Sequence, residues 1–384
     1  MRIAIASRVY APEPAAASFR LGALAAALAM AGNSVTVLTV KAFEGVAPEV
    51  PGVDVRRVPV LRDATGTVRG YVQYLSFDIP LIFRLLFCRR PDVVVSEPPP
   101  TTGFMVRLVL TLRRIPYVYY AADVWSDATA AMGAPGWVVW ALRTVERFAL
   151  RGAAQVIAVS DGVAERVRDL AGHERVVVVR NGVDTDTFTP EGQTDDLGAT
   201  AVYAGTMSEW QGAEIFIKAL PRVRATVPDA RLLFLGQGSA MAELQAIVAD
   251  LGLGDAVTFG GLVPPVEAAR ALRSAAAALV SLKPGQGYDF AVPTKLFAGA
   301  ACGAPVIFAG DGDSRDVIAQ SGIGLAVSYD VDAVAEALTE AFTSPASPSK
   351  RAEVAAWVLN NASIAATGRE AAELVESAAR RSTS

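Results

Sequence analysis

The sequence predicts an α/β protein made of two doubly wound domains. Short runs of apolar and β-branched residues alternate along the chain with stretches of helical composition that are rich in alanine and leucine. Apolar strands separated by helices are typical of a parallel sheet that is covered on both faces. The alternation restarts near residue 200, and 384 residues exceed the size to which one hydrophobic core grows.

The first half of the chain opens on a strand pattern, which a helix pattern over residues 16–31 follows directly. Further strand patterns recur between polar turns, so that the order is RIAIA, SVTVLTV, DVRRV, PDVVVS, PYVYYA, AQVIAVS and RVVVVR. Runs of this length, rich in valine, isoleucine and tyrosine, indicate buried parallel strands. We therefore predict the first doubly wound domain over residues 1–184.

A linker is predicted where this periodicity is lost. Residues 181–200 read NGVDTDTFTPEGQTDDLGAT and are rich in glycine, aspartate, threonine and proline. This composition favours a connecting segment over a helix or strand. We place the linker at residues 185–199, the second domain at 200–360, and a final helix at 361–384 that crosses back to the first domain.

The second half repeats the pattern of the first. Its strand patterns are TAVYAG, ARLLFLG, AVTFGG, AALVSL, PVIFAG and GIGLAV, and its helix patterns include residues 211–225, 241–251 and 266–273. Proteins with α/β sheets bind ligands outside the carboxyl ends of the strands. We therefore expect the two domains to face one central cleft that holds the site.

Composition limits the partners of the protein. The formal net charge is -4, so the chain has no global positive field that would attract nucleic acid. Cys88 and Cys302 lie far apart without metal-ligand spacing, which favours a reducing compartment. The start, MRIAIAS, runs into a strand pattern and does not read as a signal peptide. We expect a cytoplasmic protein at the inner face of the plasma membrane.

The membrane expectation comes from residues 68–114. VRGYVQYLSFDIPLIFRLLFCRR at 68–90 and FMVRLVLTLRR at 104–114 mix large apolar side chains with arginines and aromatics. Basic amphipathic segments can lie in a membrane interface without spanning it. We predict peripheral membrane contact through this segment. A pair of core helices with snorkelling arginines is the alternative.

Several longer motifs occur together in one known family. They are RVYAPEPAAASFRLGALAAALAMAGNSVTVLT, VSDGVAERV, RNGVDTDTF, YAGTMSEWQG, LLFLGQGSAMAEL, VTFGGLVPPVE and VPTKLFAGAACGAPVI. In this order and spacing, the chain resembles the family 4 glycosyltransferases of GT-B fold over nearly its whole length. It looks most like the branch that includes the fucosaminyltransferases of cell-surface polysaccharide assembly. The resemblance implies two Rossmann-like domains and a nucleotide-sugar donor, expected to be UDP-linked, with no other cofactor.

A phosphate-binding pocket is predicted at two strand-to-helix turns of the second half. Gly205 and Thr206 end a strand ahead of a helix that we expect to begin near Gln211, and Thr294 and Lys295 open another helix. Free backbone amides and the helix dipole at such turns favour a bound anion, to which Lys295 adds a positive charge. A solvated lysine at a helix end is the alternative interpretation of Lys295.

The nucleotide base is expected near a third turn. The resemblance implies that the turn at 260–264, which contains Leu262 and Val263, presents backbone groups to a uracil-like ring. Gly236 and Gly238 are expected to allow close packing or close approach of the nucleotide. An ordinary turn is an equally consistent interpretation of each of these segments.

The chain departs from the family pattern at the ribose. Family 4 enzymes usually carry two glutamates eight positions apart, and the corresponding positions here hold Phe290 and Ala298. Asp289 is expected to replace the first carboxylate, but an alanine cannot hydrogen-bond a ribose. Thr206 and Gln211 likewise stand where the family has Arg and Lys. Arg315, which follows a later strand, is expected to contact the diphosphate instead.

The catalytic predictions fall in the first half. Asp123, at the end of the PYVYYA strand, is the candidate for a polar catalytic group, and a structural cap is its alternative. Glu13 is expected to contact the sugar or the acceptor, with Arg20 as its partner or as a phosphate ligand. Asp161 is expected to cap the helix that it opens.

The function that these predictions indicate is retaining transfer of a sugar, without a metal ion, from a nucleotide donor to a glycan, lipid-linked or small-molecule acceptor. The altered position of Ala298 keeps open a pseudo-enzyme that binds a ligand or partner without transfer. A nucleotide-sugar epimerase of GT-B fold is the other alternative.

Overall fold

The computed structural model describes residues 1–13, 15–41, 50–63, 68, 70–286, 288 and 291–381. The described chain divides into two compact units. The first unit comprises residues 1–181 and 364–384, and the second comprises residues 182–363. The predicted boundaries, at residue 184 and at residue 361, stay predictions; the two compact units divide between residues 181 and 182 and between residues 363 and 364.

The first unit is a parallel α/β sheet. Its strands are β1 (Arg2–Ala6), β2 (Ser34–Val40), β3 (Val53–Val58), β4 (Val93–Ser96), β5 (Tyr117–Ala121), β6 (Gln155–Ala158) and β7 (Val176–Val178). They lie in the order β3-β2-β1-β4-β5-β6-β7, and all neighbouring pairs are parallel. Its helices are α1 (Ala16–Met30), α2 (Tyr71–Phe87), α3 (Pro100–Arg113), α4 (Trp125–Ala131), α5 (Gly136–Gly152), α6 (Asp161–Ala171) and, from the end of the chain, α14 (Ile364–Arg381).

The second unit repeats this architecture. Its strands are β8 (Thr200–Ala204), β9 (Arg231–Leu235), β10 (Val257–Gly261), β11 (Ala277–Ser281), β12 (Val306–Ala309) and β13 (Gly324–Val327), in the parallel order β10-β9-β8-β11-β12-β13. Its helices are α7 (Glu214–Thr226), α8 (Met241–Asp250), α9 (Pro265–Ser274), α10 (Thr294–Ala301), α11 (Asp313–Ser321), α12 (Val331–Thr343) and α13 (Pro348–Asn361). The predicted α/β class with two doubly wound units is confirmed.

Each sheet separates two hydrophobic cores, because successive strand residues point to opposite faces. On β1, Ile3 and Ile5 belong to one core, whereas Ala4 belongs to the core on the other face. On β8, Tyr203 and Val202 divide in the same way. Because helices cover both faces of each sheet, ligand-binding loops are left at the ends of the strands, and α/β proteins use the carboxyl ends. The row of carboxyl strand ends is called the carboxyl edge of the sheet.

The final helix packs on the first helix of the chain. A Cβ atom on Gly368 of α14 would lie 2.8 Å from the backbone of Ala23 on α1, so a larger residue at 368 would push the helices apart. Before this helix, Val183 and Ser363 form an isolated parallel bridge that joins the two ends of the second unit. The chain therefore enters and leaves the second unit at one place.

Candidate functional site

Two loops of the second unit lie against each other at the carboxyl ends of β8 and β9. The amide of Gly205 donates a hydrogen bond of 2.8 Å to the carbonyl of Leu235. A Cβ on Gly236 would lie 2.1 Å from the Gly205 carbonyl oxygen, and a Cβ on Gly238 would lie 2.0 Å from that of Met207. Both glycines are therefore required by the close approach of backbone to backbone.

These loops form a wall of a pocket of about 430 Å³ within the second unit. The lining residues include six of the predicted nucleotide-binding positions and the altered family position, namely Gly205, Thr206, Gly236, Gly238, Leu262, Val263 and Ala298. Leu262 is 74% exposed, because it projects from the turn after β10. A pocket of this size at the carboxyl ends of parallel strands is where α/β proteins bind small ligands.

Lys295 lies behind the loop that follows β8. Its ammonium nitrogen is 2.6 Å from the Tyr203 hydroxyl, 2.9 Å from the Thr206 carbonyl oxygen and 3.2 Å from Gln211 Oε1. None of these acceptors carries a negative charge, and burial lowers the pKa of Lys295 to about 7. Lys295 also stacks on the Tyr203 ring, with 4.1 Å between the ammonium nitrogen and the ring centroid.

The helix expected from Gln211 begins later. Residues Glu209–Gln211 form one turn of 3₁₀ helix, and α7 starts at Glu214. Ser208 and Gln211 form a capping box, and Gly212 has a φ of 64°, which ends the short turn. The expected start of the helix was wrong because Gln211 turns its side chain inward, where its oxygen accepts from Tyr203 and Lys295.

The other predicted donor-site residues lie around α10 and α11. Thr294 is the first residue of α10 and is exposed. Arg315, on α11, places Nη1 3.5 Å from the carbonyl oxygen of Ala326 and Nε 3.8 Å from Asp311. Phe290 stands at the position of the first family glutamate, and Asp289 is expected to replace that carboxylate. Both residues lie outside the described residues.

In the first unit, a buried ion pair occupies the carboxyl edge of the sheet. Arg20 on α1 pairs with Glu97, which directly follows β4, and both side chains are less than 10% exposed. Glu97 also accepts a hydrogen bond of 2.8 Å from the hydroxyl of Ser7 after β1, and Arg20 donates one of 2.8 Å to Asn181. The pair therefore ties two neighbouring strand ends to α1.

This arrangement corrects the partner predicted for Glu13. Glu13 does not pair with Arg20. It accepts an ion-paired hydrogen bond of 2.7 Å from Arg62. The reason is that Glu97 provides a second carboxylate beside Arg20, in a more buried place where an unpaired arginine would be costly.

Asp123 follows the carboxyl end of β5, as predicted. Loss of hydration raises the pKa of its carboxyl group, nearby Arg20 opposes that rise, and Glu97 adds to it. A carboxyl group with a raised pKa beside an arginine and a second carboxylate is a frequent feature of catalytic sites. The structure thus places Asp123 in the electrostatic surroundings of the Arg20–Glu97 pair.

The cap predicted at Asp161 is corrected by one residue. Ser160 is the N-cap of α6, and its hydroxyl accepts a hydrogen bond of 3.2 Å from the amide of Val163. Asp161 is the first helical residue and pairs with Arg180. A serine in extended conformation reaches the free amides of the first turn better than a residue already inside the helix.

Sequence reasoning missed three residues of these two edges: Arg8, Glu97 and Tyr203. Glu97 directly follows β4, and Arg8 follows β1 after one intervening residue, so a charged residue just beyond a largely apolar strand was the available signal. Tyr203 lies inside a strand pattern and gave no such signal, because only the fold brings its hydroxyl to Lys295.

In the part of the chain that the structure describes, no group of three or more histidine, cysteine or carboxylate side chains is arranged to hold a metal ion. Among the helices that the structure describes, none has both the length and the hydrophobicity that crossing a membrane requires.

The architecture and the comparison with known families indicate the same class of protein. Two parallel α/β units, one with a ligand-sized pocket at its strand ends, have the architecture of GT-B glycosyltransferases. Residues 16–182 match the glycosyl transferase 4-like domain, and residues 198–344 match the glycosyl transferases group 1 family. Together these matches cover most of the chain, which combines a glycosyl transferase 4-like domain with a glycosyl transferases group 1 domain.

Curated relatives carry related names. The chain is 28% identical over 207 residues to the GDP-mannose-dependent alpha-(1-6)-phosphatidylinositol monomannoside mannosyltransferase of Mycolicibacterium smegmatis, covering 50% of this chain and 54% of that protein. It is 31% identical over 194 residues to the D-inositol 3-phosphate glycosyltransferase of Xylanimonas cellulosilytica, covering 44% and 45%. The chain thus spans about half the length of the curated relatives that it matches.

Solved structures match over nearly the whole chain. Sucrose-phosphate synthase from Thermosynechococcus elongatus superposes with a TM-score of 0.69 at 19% identity, covering 98% of each chain. HepE of Anabaena, crystallised with UDP and glucose, superposes with a TM-score of 0.64 at 16% identity, covering 98% of this chain and 100% of that chain. At these identities the likeness establishes the GT-B fold.

Proposed function

We propose that the protein is a retaining glycosyltransferase that takes a sugar from a UDP-linked donor. The observation that carries the proposal is the pocket of about 430 Å³ in the second unit. Its wall includes the backbone of two loops, at Gly205–Thr206 and at Gly236–Gly238. A nucleotide diphosphate is bound by backbone amides and a nearby cation. The amides of Gly205 and Gly236 already donate to Leu235 and Gly261, so those of Thr206 and Gly238 are the proposed donors, with Lys295 directly behind this wall.

The proposed donor arrangement assigns roles to three parts of the pocket. The Gly205–Thr206 loop and Lys295 hold the diphosphate, Leu262 and Val263 flank the base, and Ala298 lies beside the ribose. The HepE crystal with UDP supports uridine, whereas the mycobacterial relative is named for GDP-mannose. Thermal unfolding with UDP-, GDP- and dTDP-sugars would decide among the bases, because a bound nucleotide stabilises the fold by mass action. A larger shift with GDP-sugars than with UDP-sugars would overturn the uridine assignment.

The ribose assignment has its own test at Ala298. Since this residue lines the pocket, a glutamate there can reach ribose hydroxyls, and we expect Ala298→Glu to tighten UDP binding by roughly 1.5 kcal/mol. Calorimetric titration with UDP and with free diphosphate would separate the ribose contribution from the phosphate contribution. A glutamate that weakens UDP binding would show that another group already occupies this space.

We assign the acceptor side of the reaction to the first unit, with Asp123 as the catalytic group and Glu13 as a contact to the sugar or acceptor. What supports Asp123 is its place just beyond the carboxyl end of β5, where its side chain is exposed to a ligand and lies in the electrostatic surroundings of Arg20 and Glu97. Asp123→Asn is expected to lower turnover by at least 100-fold, the scale of acid–base or electrostatic assistance, with donor affinity within about twofold. Equal losses of turnover and affinity would make Asp123 a structural residue.

The stereochemical outcome is tested directly by NMR of the product. A retaining enzyme keeps the anomeric configuration of the donor sugar, and an inverted product would refute that part of the proposal. Release of free sugar and UDP from the donor, without an added acceptor, would distinguish a slow transferase from a protein that only binds nucleotide. The acceptor classes proposed are a cell-envelope glycan, a lipid-linked sugar or a small molecule.

A membrane-facing surface is the last part of the proposal. Five apolar residues at helical spacing project from α2 into solvent: Val72, Leu75, Ile79, Phe83 and Phe87. On the neighbouring α3, Leu108 and Leu112 are also exposed, and the arginines Arg89, Arg90 and Arg114 follow the ends of the two helices. An apolar stripe bordered by arginines fits an anionic bilayer surface.

Vesicle sedimentation tests this α2–α3 surface. Phe83→Ser is expected to lower partition onto vesicles containing phosphatidylglycerol by roughly tenfold, given the free energy of burying a phenylalanine. The matched control is Leu359→Ser in the second unit, because Leu359 is 56% exposed and Phe83 is 57% exposed. Equal effects of the two substitutions would exclude α2 as the contact.

A further inference from the structure

We propose that Arg8 binds an oxyanion, a phosphate or carboxylate group, carried by the acceptor. The inference rests on the proposed acceptor-side role of the first unit and names the chemistry of the molecule bound there. Arg8 comes one residue after Ser7, whose hydroxyl bonds to Glu97 at the carboxyl edge of the sheet. Its guanidinium therefore lies on the edge that also carries Asp123.

The guanidinium is held in one orientation by aromatic rings. Its central carbon lies 4.3 Å from the ring centroid of Tyr74 and 5.9 Å from that of Trp125. Nη1 donates a hydrogen bond of 2.6 Å to the carbonyl oxygen of Val68. Because rings and carbonyl fix the plane of the guanidinium, the cost of ordering it is met before any ligand arrives.

The positive charge of Arg8 has no carboxylate partner of its own. Within the described residues, no carboxylate oxygen lies within the 4.0 Å of an ion pair with Arg8. Of the carboxylates nearby, Glu97 pairs with Arg20 and Glu13 with Arg62, whereas Asp78 accepts from the hydroxyl of Thr102 at 2.6 Å through one oxygen and has its other oxygen buried without a hydrogen-bond partner. This sets Arg8 apart from Arg20, whose charge is neutralised inside the unit.

Arg8 is half-buried, which makes the absence of a partner costly for the part of its guanidinium that is shielded from water. Nε of Arg8 is buried without a hydrogen-bond acceptor, and loss of hydration lowers the pKa of the guanidinium. An arginine that served packing alone would be expected to share a carboxylate, because breaking such a pair in a buried place is strongly destabilising. Because Nε is buried, an incoming oxyanion would supply the missing negative charge from the Nη1–Nη2 side of the guanidinium, where a planar fork can donate two parallel hydrogen bonds.

The neighbouring aromatic rings suit a sugar ring that carries this oxyanion. Tyr74 and Trp125 pack edge to face, with 5.9 Å between their ring centroids. Trp125 is two residues beyond Asp123, at the start of α4. An acceptor anchored by its anionic group on Arg8 would therefore lie beside the residue proposed to act on its hydroxyl.

The test compares three probes that share one ring. Glucose, glucuronate and glucose 6-phosphate differ at carbon 6, which carries a neutral, carboxylate or phosphate group. Ligand-observed NMR titration of the wild-type protein is expected to show at least tenfold tighter binding of one of the two anions than of glucose. Dihexanoyl phosphatidic acid, added below its micelle concentration, and inorganic phosphate then distinguish a lipid phosphate from a free one.

Arg8→Gln is expected to remove this preference, so that the anion binds within twofold of glucose. Arg8→Lys keeps the charge without the planar fork and is expected to lose about fivefold. The matched control is Arg56→Gln, since Arg56 belongs to an exposed ion pair on β3, and it should leave the preference unchanged. Wild-type protein that binds the anions no better than glucose would overturn the inference even if the Arg8 variants failed to fold.

Nucleotide binding separates this inference from the proposed function. UDP binding, assigned to the second unit, should be equal in wild type and Arg8→Gln. If an Arg8-dependent anion site is found but no donor sugar is transferred or hydrolysed, the proposed function fails and the anion site stands. If sugar transfer occurs and anion binding does not depend on Arg8, the inference fails and the function stands.

Discussion

In the first unit the carboxyl edge of the sheet is made of charged side chains, whereas in the second unit the same edge is made of glycine turns. Arg20 and Glu97 form a buried pair at the first edge. At the second edge, Gly205, Gly236 and Gly238 allow backbone to contact backbone. Two sheets of similar topology therefore build sites that respond in opposite ways to substitution. One site is damaged by removing atoms and the other by adding them.

The largest expected effect tests the first edge by removing a carboxylate. Glu97→Ala leaves the buried Arg20 without its partner, and we expect the first unit to lose about 3 to 5 kcal/mol of stability. Peptide-resolved hydrogen exchange would measure this loss in the first unit and not in the second.

The control for Glu97→Ala is Asp54→Ala, which breaks the exposed pair of Asp54 and Arg56 on β3. Exposed pairs contribute at most about 1 kcal/mol. A loss at Glu97 no larger than the loss at Asp54 would contradict the view that the first edge depends on its buried charges.

The second prediction adds one carbon atom at the other edge. In Gly236→Ala the new Cβ would lie 2.1 Å from the Gly205 carbonyl oxygen, at a φ of 132°. Overpacking and the left-handed backbone together should cost the second unit about 3 kcal/mol and abolish UDP binding. Hydrogen exchange and calorimetry would measure the two effects.

Gly254→Ala is the matched control, since a Cβ on Gly254 would meet no atom within 4 Å. Its expected effect on stability is within about 0.5 kcal/mol. If both alanines were tolerated equally, the two loops would not be packed as the structure has them.

The third prediction concerns the cation behind the glycine turns. Lys295→Ala should weaken UDP binding by about 1.5 to 3 kcal/mol, the range for a charged hydrogen bond. Titration calorimetry would measure it, with Lys218→Ala as the control because Lys218 is exposed on α7. Unchanged affinity would show that Lys295 serves only to hold the Thr206 carbonyl and Gln211.

The smallest expected effect is the pH dependence of the same contact. With burial lowering the pKa of Lys295 to about 7, the amine is mostly neutral at pH 8 before nucleotide binds. A diphosphate favours the ammonium form, so binding takes up a proton and affinity falls as the pH rises above 7. The slope should approach one log unit per pH unit, or about 1.4 kcal/mol.

Calorimetry in buffers of different ionisation enthalpy would count the proton taken up. Lys295→Ala should lose both the proton uptake and the slope between pH 7 and 9. A variant that kept the wild-type slope would assign the titration to another group.

The sequence determined the elements and the order of the site loops, because both depend on local pattern. Alternating apolar runs and helix patterns predicted β1, β2 and β8 within one or two residues of their ends. The glycine turns and the Thr294–Lys295 helix start were predicted because glycine and helix-start residues act through their own backbone. Six predicted positions of the second half do meet in one pocket.

Which charges meet depends on how the chain packs in three dimensions. Arg20 pairs with Glu97 and not with Glu13, although Glu13 is far closer to it in the chain. Lys295 meets Tyr203 and Gln211 across distances of 92 and 84 residues in sequence. Ion pairs and buried hydrogen bonds depend on desolvation and on distances of a few ångströms, which strand order and helix packing set and which no local pattern records.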